Sequence, residues 1–307
     1  MWRVLRLTFL GTSAAQPTAQ RNLSGLAVRH GRELFLVDCG EGTQRQMIRY
    51  GTGFDVAAIL FTHFHADHYI GAIGFLRTLS MLGREKPLDL YGPKPARRFL
   101  ETVLFTGTDP FTFEVRIHEI APGASLRRES CELVPFPVVH RITAVGWLLA
   151  EDSRPGRFHP ERAAALGVPE GRLFGELQHG RAVTVGGRTI RPEEVVDPPR
   201  RGRRVAVTGD TRPCSGTVEA ARGADLLVHE ATFGDAEQQR AEETMHSTAR
   251  EAGRVGREAG ASRLVLTHLS SRYDQDPSPL LEQARAEYPG EIVVAHDGMT
   301  LEIPFPE

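Results

Sequence analysis

Cysteine is scarce in this sequence: three in 307 residues, at Cys39, Cys131 and Cys214, odd in number and in no CxxC pair. That excludes a disulfide framework and favours reduced, buried thiols in a cytoplasmic chain. Lysine is nearly absent, with Lys86 and Lys94 the two exceptions among 37 basic residues. No apolar run approaches the ~18–20 residues of a membrane span, so no membrane partner is expected. At the N-terminus, Arg3 and Arg6 precede only Leu7-Thr8-Phe9-Leu10. That stretch is too short for a signal peptide and reads as a first strand ending at Gly11. Repeats of solenoid type and low-complexity tracts are also missing.

What is present is a chain long enough for one large domain or two fused halves. Its net charge of −2 conceals an imbalance. Between Arg154 and Arg204 there are eleven arginines and six acidic residues, about +5, so the remainder sums to about −7. A basic segment on an acidic body suggests a local anionic partner such as nucleic acid; a solvated polar arm would look the same by charge alone.

The hydrophobic pattern alternates between strand and helix. Strands are expected at Val4–Leu10, Leu26–Val28, Leu34–Val37, Val56–Phe61, Phe111–Ile117, Leu133–Val139 and Ala144–Leu149, then at Val205–Thr208, Leu226–His229, Leu264–Thr267 and Ile292–Ala295. Helices are expected at Glu41–Tyr50, Tyr69–Leu82, from Pro93 to about Leu104, and at Thr217–Arg222, Thr248–Gly260 and Pro279–Tyr288. Thr248 and Glu251 have the spacing of a capping box. From Glu151 to about Arg203, proline, glycine and arginine recur and the periodicity weakens, which suggests an inserted arm. Alternation of this kind is that of an α/β protein, where sites gather at the carboxyl ends of strands.

Three of the twelve histidines fall within His63-Phe64-His65-Ala66-Asp67-His68, directly after the strand Val56–Phe61. Three imidazoles and a carboxylate crowded at one strand end are costly to bury without a common partner. A divalent cation is such a partner, since imidazole and carboxylate are the usual ligands of zinc, at about 2.0–2.2 Å. His63 and His65, two apart, point the same way in an extended turn, while Asp67 and His68 begin a helix and face a second ion. His140, Asp210 and His268 each follow a predicted strand, where further ligands belong. Histidine-rich ligation favours zinc, with manganese or iron as alternatives at the carboxylate-bearing positions.

With those residues the chain resembles the metallo-β-lactamase superfamily. The resemblance implies a four-layer αβ/βα sandwich and two zinc ions per chain, one bound by His63, His65 and His140, the other by Asp67, His68 and His268, with Asp210 bridging. Two such ions, about 3.5–4 Å apart, clamp the attacking and leaving oxygens of a phosphoryl group and lower the pKa of water from 15.7 to about 7. The superfamily alone leaves the substrate open. His229-Glu230-Ala231-Thr232 and His246-Ser247-Thr248 are similar to two motifs of the ribonuclease Z (tRNase Z) family, the tRNA 3′-processing endonucleases. Phe9-Leu10-Gly11-Thr12, Val37-Asp38-Cys39-Gly40-Glu41-Gly42-Thr43-Gln44, Thr208-Gly209-Asp210-Thr211-Arg212 and Thr267-His268-Leu269-Ser270-Ser271-Arg272-Tyr273 extend the similarity over nearly the whole chain.

In the chemistry that the resemblance implies, Glu230 orients His246, which protonates the leaving 3′-oxygen, and Asp67 doubles as base for the attacking water. The products are a 3′-hydroxyl on the tRNA and a 5′-phosphate on the trailer. The chain reads as one domain over 1–307 with an inserted basic exosite arm at about 151–203, and its length matches a short form that acts as a homodimer on precursor tRNA. Substrate contacts are expected from Arg21, Asn22 and Arg272, and from Arg172 and Arg181 of the arm. The arm has Gly171-Arg172 where the family has Gly-Pro. The loop Pro17-Thr18-Ala19-Gln20-Arg21-Asn22 has Ala19 where some members carry lysine. Two alternatives stay open: a hydrolase of the same fold acting on small esters, and a binding protein without catalysis.

Overall fold

The computed structural model describes residues 4–106 and 109–306, so Arg3 lies outside the described residues. The chain forms two units, Met1–Ala150 with Arg203–Phe305, and Glu151–Gly202 with Pro306–Glu307.

The larger unit holds two seven-stranded sheets. The first joins β1 (Leu5–Gly11), β2 (Gly25–His30), β3 (Glu33–Val37), β4 (Val56–Leu60), β5 (Leu88–Pro93) and β6 (Val115–Ile120) in sequence order, with β16 (Thr300–Glu302) on the outer side of β1. Pairing is antiparallel from β16 to β3 and parallel from β3 to β6. The second sheet has the order β15-β14-β13-β12-β9-β8-β7, with β7 (Leu126–Arg127), β8 (Cys131–Pro137), β9 (Val145–Glu151), β12 (Arg204–Val207), β13 (Leu226–Glu230), β14 (Arg263–Thr267) and β15 (Glu291–Val294). Strands β12 to β15 run parallel, and β9 is antiparallel to β12.

Period-two alternation explains the layering. Leu5, Leu7 and Phe9 of β1 share one core with Trp147, Val205, Val207, Val228 and Val265, which places it between the sheets. Residues of opposite parity, such as Ile59 of β4, pack outward with α1 (Thr43–Arg49), α3 (Gly71–Met81) and α4 (Ala96–Leu104). On the second sheet, Ala206, Leu227, Leu264 and Leu266 face α7 (Ser215–Ala220), α9 (Ala249–Ala259) and α10 (Ser278–Arg285). The result is the expected four-layer αβ/βα sandwich.

Some elements differ from their sequence reading. Pro93 ends β5 instead of opening a helix; its ring fits there because no strand-interior N–H is needed at the last position. That strand, Leu88–Pro93, carries too few β-branched residues to stand out in the sequence. The expected helix from Tyr69 is split into α2 (Ala66–Tyr69) and α3. The capping box at Thr248 and Glu251 is present, and α9 ends on Gly260 in the left-handed region.

The smaller unit is more ordered than weak periodicity suggests. It contains α5 (Pro160–Ala165), α6 (Arg172–Gln178) and the hairpin β10–β11 (Val183–Val185, Arg188–Ile190), gathered on Ala163, Val168, Leu177, Val183, Ile190 and Val195. So few residues form so small a core that no helix-length apolar stripe is needed. Arg203 and Arg204 belong instead to the larger unit, where Arg204 opens β12 opposite Ala150.

One glycine is required by the fold. Gly209 has φ +63°, and a Cβ there would lie 2.6 Å from Cβ of Thr62. Gly209→Val combines a left-handed β-branched residue with that clash. It is expected to destabilise the protein by at least about 2 kcal/mol in urea unfolding, whereas a change below about 0.5 kcal/mol would mean the turn is not constrained.

Candidate metal centre and active site

The strand-end histidines and carboxylates converge at the mouth of the sandwich. After β4, the carbonyl of Phe61 accepts from Nε1 of Trp147 at 3.1 Å and that of Thr62 from the N–H of Val145 at 2.9 Å, which fixes the start of the His63 loop. His63 is fully buried, and Asp67, His68, Asp210 and His268 are nearly so.

Their donor atoms form two sets. In one, Nδ1 of His65 lies 3.1 Å from Nε2 of both His63 and His140, and Oδ2 of Asp210 is 3.5 Å from Nε2 of His63 and 3.9 Å from Nε2 of His140. In the other, Nε2 of His68 and His268 are 3.3 Å apart, each lies 3.4 Å from Oδ1 of Asp210, and Oδ2 of Asp67 is 3.5 and 3.4 Å from them. Tetrahedral donors about 2.0–2.2 Å from one ion lie about 3.3–3.6 Å from each other. Both sets approximate that spacing, and the two oxygens of Asp210 face different sets. Oδ1 of Asp210 is buried and accepts no hydrogen bond, an expensive state for a carboxylate unless a cation takes that position. The donor set therefore fits a pair of divalent cations.

Outer partners hold the rings in place. Nδ1 of His68 donates to Asp38 at 2.7 Å, and Asp38 also accepts from the N–H and hydroxyl of Thr62, both at 2.8 Å. Nδ1 of His63 donates to that Thr62 hydroxyl at 3.0 Å, Nδ1 of His268 to the Thr232 hydroxyl at 2.9 Å, and Nδ1 of His140 to the carbonyl of Met245 at 2.9 Å. Each bond commits one nitrogen outward and leaves Nε2 facing the set, the arrangement that orients metal-binding imidazoles. Of these partners, Asp38 and Thr232 stand in motifs already noted in the sequence; Thr62 and a backbone carbonyl leave no such signal.

The electrostatics agree. Burial pushes His63, His65 and His140 below the ordinary imidazole value, so they stay neutral as ligands must. Burial acts the same way on His68, but the carboxylates of Asp210, Asp38 and Asp67 overcome it and raise its pKa. Three carboxylates around one imidazole are an excess of negative charge that a divalent cation would neutralise. Burial opposes ionisation of Asp67 too, yet His68 and His268 hold its carboxyl well below the carboxylate range.

Beside the two sets lies a dyad. Nδ1 of His246 donates to Oε1 of Glu230 at 2.8 Å, and Glu230 is 1% exposed. The carboxylate also accepts from the N–H of Thr211 at 2.9 Å and the hydroxyl of Thr232 at 2.7 Å. Burial would lower the His246 pKa, but Glu230 outweighs it and holds it at about 9. His246 comes within ligand distance of Asp210 and His268, but the nitrogen nearest Asp210 is the Nδ1 already bonded to Glu230. His229, the neighbour of Glu230, points to the opposite face of β13 and takes no part; its Nδ1 donates to the carbonyl of Glu230 at 2.7 Å.

The dyad opens onto a cleft of about 670 Å³ lined by His65, Asp67, Asp210, His246 and His268, with Arg141, Arg240 and Arg272 around it. Arg272 thus stands where substrate contact was expected. Arg21 does not: its guanidinium is buried and donates to Thr12 at 2.8 Å and to the carbonyl of Ala295 at 2.7 Å. Asn22 braces the carbonyl of Glu41 at 2.8 Å, and its N–H donates to Asp297 at 2.7 Å. Nε of Arg21 makes no hydrogen bond but lies 3.8 Å from Oδ1 of Asp274, an ion pair that helps hold the guanidinium inward. Arg172, at the start of α6, and Arg181, paired with Glu176, are exposed in the smaller unit.

The comparisons with known proteins agree with this geometry. The family model described as Metallo-beta-lactamase superfamily matches residues 23–242, which defines the class. A ribonuclease Z from Myxococcus xanthus is 61% identical over 98% of this chain and 99% of its own, and one from Haloferax volcanii is 50% identical over 98% and 96%. The chain belongs to the ribonuclease Z family of that superfamily. Among solved structures, the short form of human tRNase Z superposes with a TM-score of 0.69 at 27% identity, covering 98% of this chain and 100% of that one. The Bacillus subtilis metallo-beta-lactamase fold protein YhfI gives a TM-score of 0.71 at 20% identity, over 98% of this chain and 100% of its own.

Thr232 touches both Glu230 and His268, so Thr232→Val should weaken metal binding about 10–100-fold in chelator competition. An unchanged affinity would mean that His268 needs no support from this hydroxyl.

Proposed function

We propose that this chain is a zinc-dependent endoribonuclease that removes the 3′ trailer of precursor tRNA. Water attacks the phosphodiester, leaving a 3′-hydroxyl on the tRNA and a 5′-phosphate on the trailer. The observation that carries this reading is the His246–Glu230 dyad beside the two donor sets. A site built for binding alone has no use for a buried carboxylate that keeps an adjacent imidazole protonated.

His63, His65 and His140 would hold one zinc ion, Asp67, His68 and His268 a second, and Asp210 both. Bound there, the ions would supply Lewis-acid stabilisation of the phosphoryl oxygens and acidify water. The chain's own residues do the rest. His246 delivers a proton to the leaving ribose oxygen, a poor leaving group without one, while Glu230 keeps the ring charged and correctly turned. Asp67 accepts a hydrogen bond from the attacking water, directs it, and serves as its base. Arg141, Arg240 and Arg272 meet phosphates near the scissile bond and position the strand without reading its sequence.

The unit at Glu151–Gly202 serves as an exosite for the tRNA body, with Arg172 and Arg181 among its phosphate contacts. The chain acts in the cytoplasm as a homodimer. Exposed Ile70, Met81, Leu82, Phe99 and Phe105 on and beside α3 and α4 support a second copy as their cover. The alternative, a hydrolase of small esters, would need neither arginine-lined cleft nor exosite.

His246→Ala should lower kcat on a 3′-extended tRNA about 10²–10⁴-fold. It should lose far less on bis(p-nitrophenyl) phosphate, whose p-nitrophenolate leaves unprotonated, and keep its zinc. Equal losses on both substrates would exclude the proton-donor role. Replacing 152–201 by a tight turn is feasible because Ala150 and Arg204 are already paired. That deletion should raise KM for precursor tRNA while sparing the small diester; parallel loss on both would exclude the exosite.

A further inference from the structure

Arg212 follows the Asp210 turn and has no part in the chemistry above, yet its side chain is only 17% exposed and both terminal nitrogens are bonded near the dyad. Nη1 donates to the carbonyl of His246 at 2.7 Å and to Oε2 of Glu251 at 2.6 Å, and Nη2 donates to Oε1 of Glu251 at 2.5 Å. Glu251 in turn accepts from the N–H of Thr248 at 2.9 Å and from Gln238 at 3.0 Å, so the pair is anchored in the first turn of α9. The backbone of Arg212 is fixed too: its N–H donates to the carbonyl of Val139, next to His140, at 2.7 Å.

The residue before His246 is held from the other side. Met245 has φ 61° and ψ 44°, a left-handed conformation sparsely populated by residues with a side chain, and its carbonyl accepts from Nδ1 of His140. Two successive carbonyls, of Met245 and His246, are therefore gripped by a ring of the metal centre and by a guanidinium.

We infer that Arg212, backed by Glu251, is the positioning residue for the proton donor: it fixes the backbone of His246 so that, with Nδ1 held by Glu230, the other ring nitrogen addresses the cleft. This rests on the reading of His246 as the donor. A lysine cannot replace the fork, because one ammonium lacks the planar geometry that spans a carboxylate and a carbonyl together. An ion pair serving only stability would behave differently, since its loss would cost unfolding free energy without regard to the leaving group.

The test uses the full chain, loaded with zinc, in two variants. Arg212→Lys keeps a cation opposite Glu251. Arg212→Met combined with Glu251→Gln removes both charges and keeps a side chain able to cap Thr248. Both are expected to lower kcat on a 3′-extended tRNA about 10–100-fold with KM within about twofold, since a displacement of about 1 Å suffices for such a loss. Hydrolysis of bis(p-nitrophenyl) phosphate should fall at least about tenfold less. Zinc content and melting temperature report whether the centre and the fold survive. Equal losses on the two substrates, or no loss on either, in whichever variant folds, would overturn the inference. If His246→Ala fails to discriminate between the substrates, the donor reading falls and takes this inference with it. If His246→Ala discriminates and the Arg212 variants do not, this inference alone falls.

Discussion

The arrangement depends on a single buried carboxylate whose two oxygens look in different directions. Asp210 is 2% exposed, lies within 3.4–3.9 Å of five imidazoles, and has an oxygen without a hydrogen-bond donor. Burying such a group is tolerable only when positive charge stands against both oxygens. That requirement brings the two sets of ligands together from loops after β4, β8, β12 and β14, and it places the dyad of Glu230 and His246 at their edge.

The backbone bears the cost of this convergence in an orderly way. Four residues other than glycine have positive φ among the described residues: Ala15, Asp38, Met245 and His268. All four meet the site. The N–H of Ala15 donates to Asp67 at 2.8 Å, Asp38 receives His68, Met245 receives His140, and His268 is itself in the second set. Sparsely populated conformations persist where the surroundings over-determine them, and such places cluster at functional sites. Here Ala15, Asp38 and Met245 mark the site independently of its histidines.

Much of this was legible in the sequence because of residue type and position. His63, His65, Asp67 and His68 are dense enough that no structural role accounts for them, and His140, Asp210 and His268 stand where α/β sheets place ligands. Other contributors had no such signal. Thr62 acts through one hydroxyl and Met245 through its carbonyl, so neither composition nor spacing distinguishes them. Arg21, expected from its loop to contact substrate, is buried instead, with Nη1 donating to Thr12 and to the Ala295 carbonyl. Charge in a sequence carries no direction, and only packing supplies one. The stretch after Glu151 was legible as a separate insertion but not in its elements, because a core as small as that of Ala163, Leu177 and Ile190 leaves little periodicity.

The most direct test of the central claim is elemental analysis of the purified full chain, with and without substitution of Asp210. Two divalent ions per chain are predicted, and Asp210→Ala should lose both, since each set would be left without its shared oxygen. A folded protein that neither contains nor takes up such ions, or an Asp210→Ala variant that keeps both, would contradict the account.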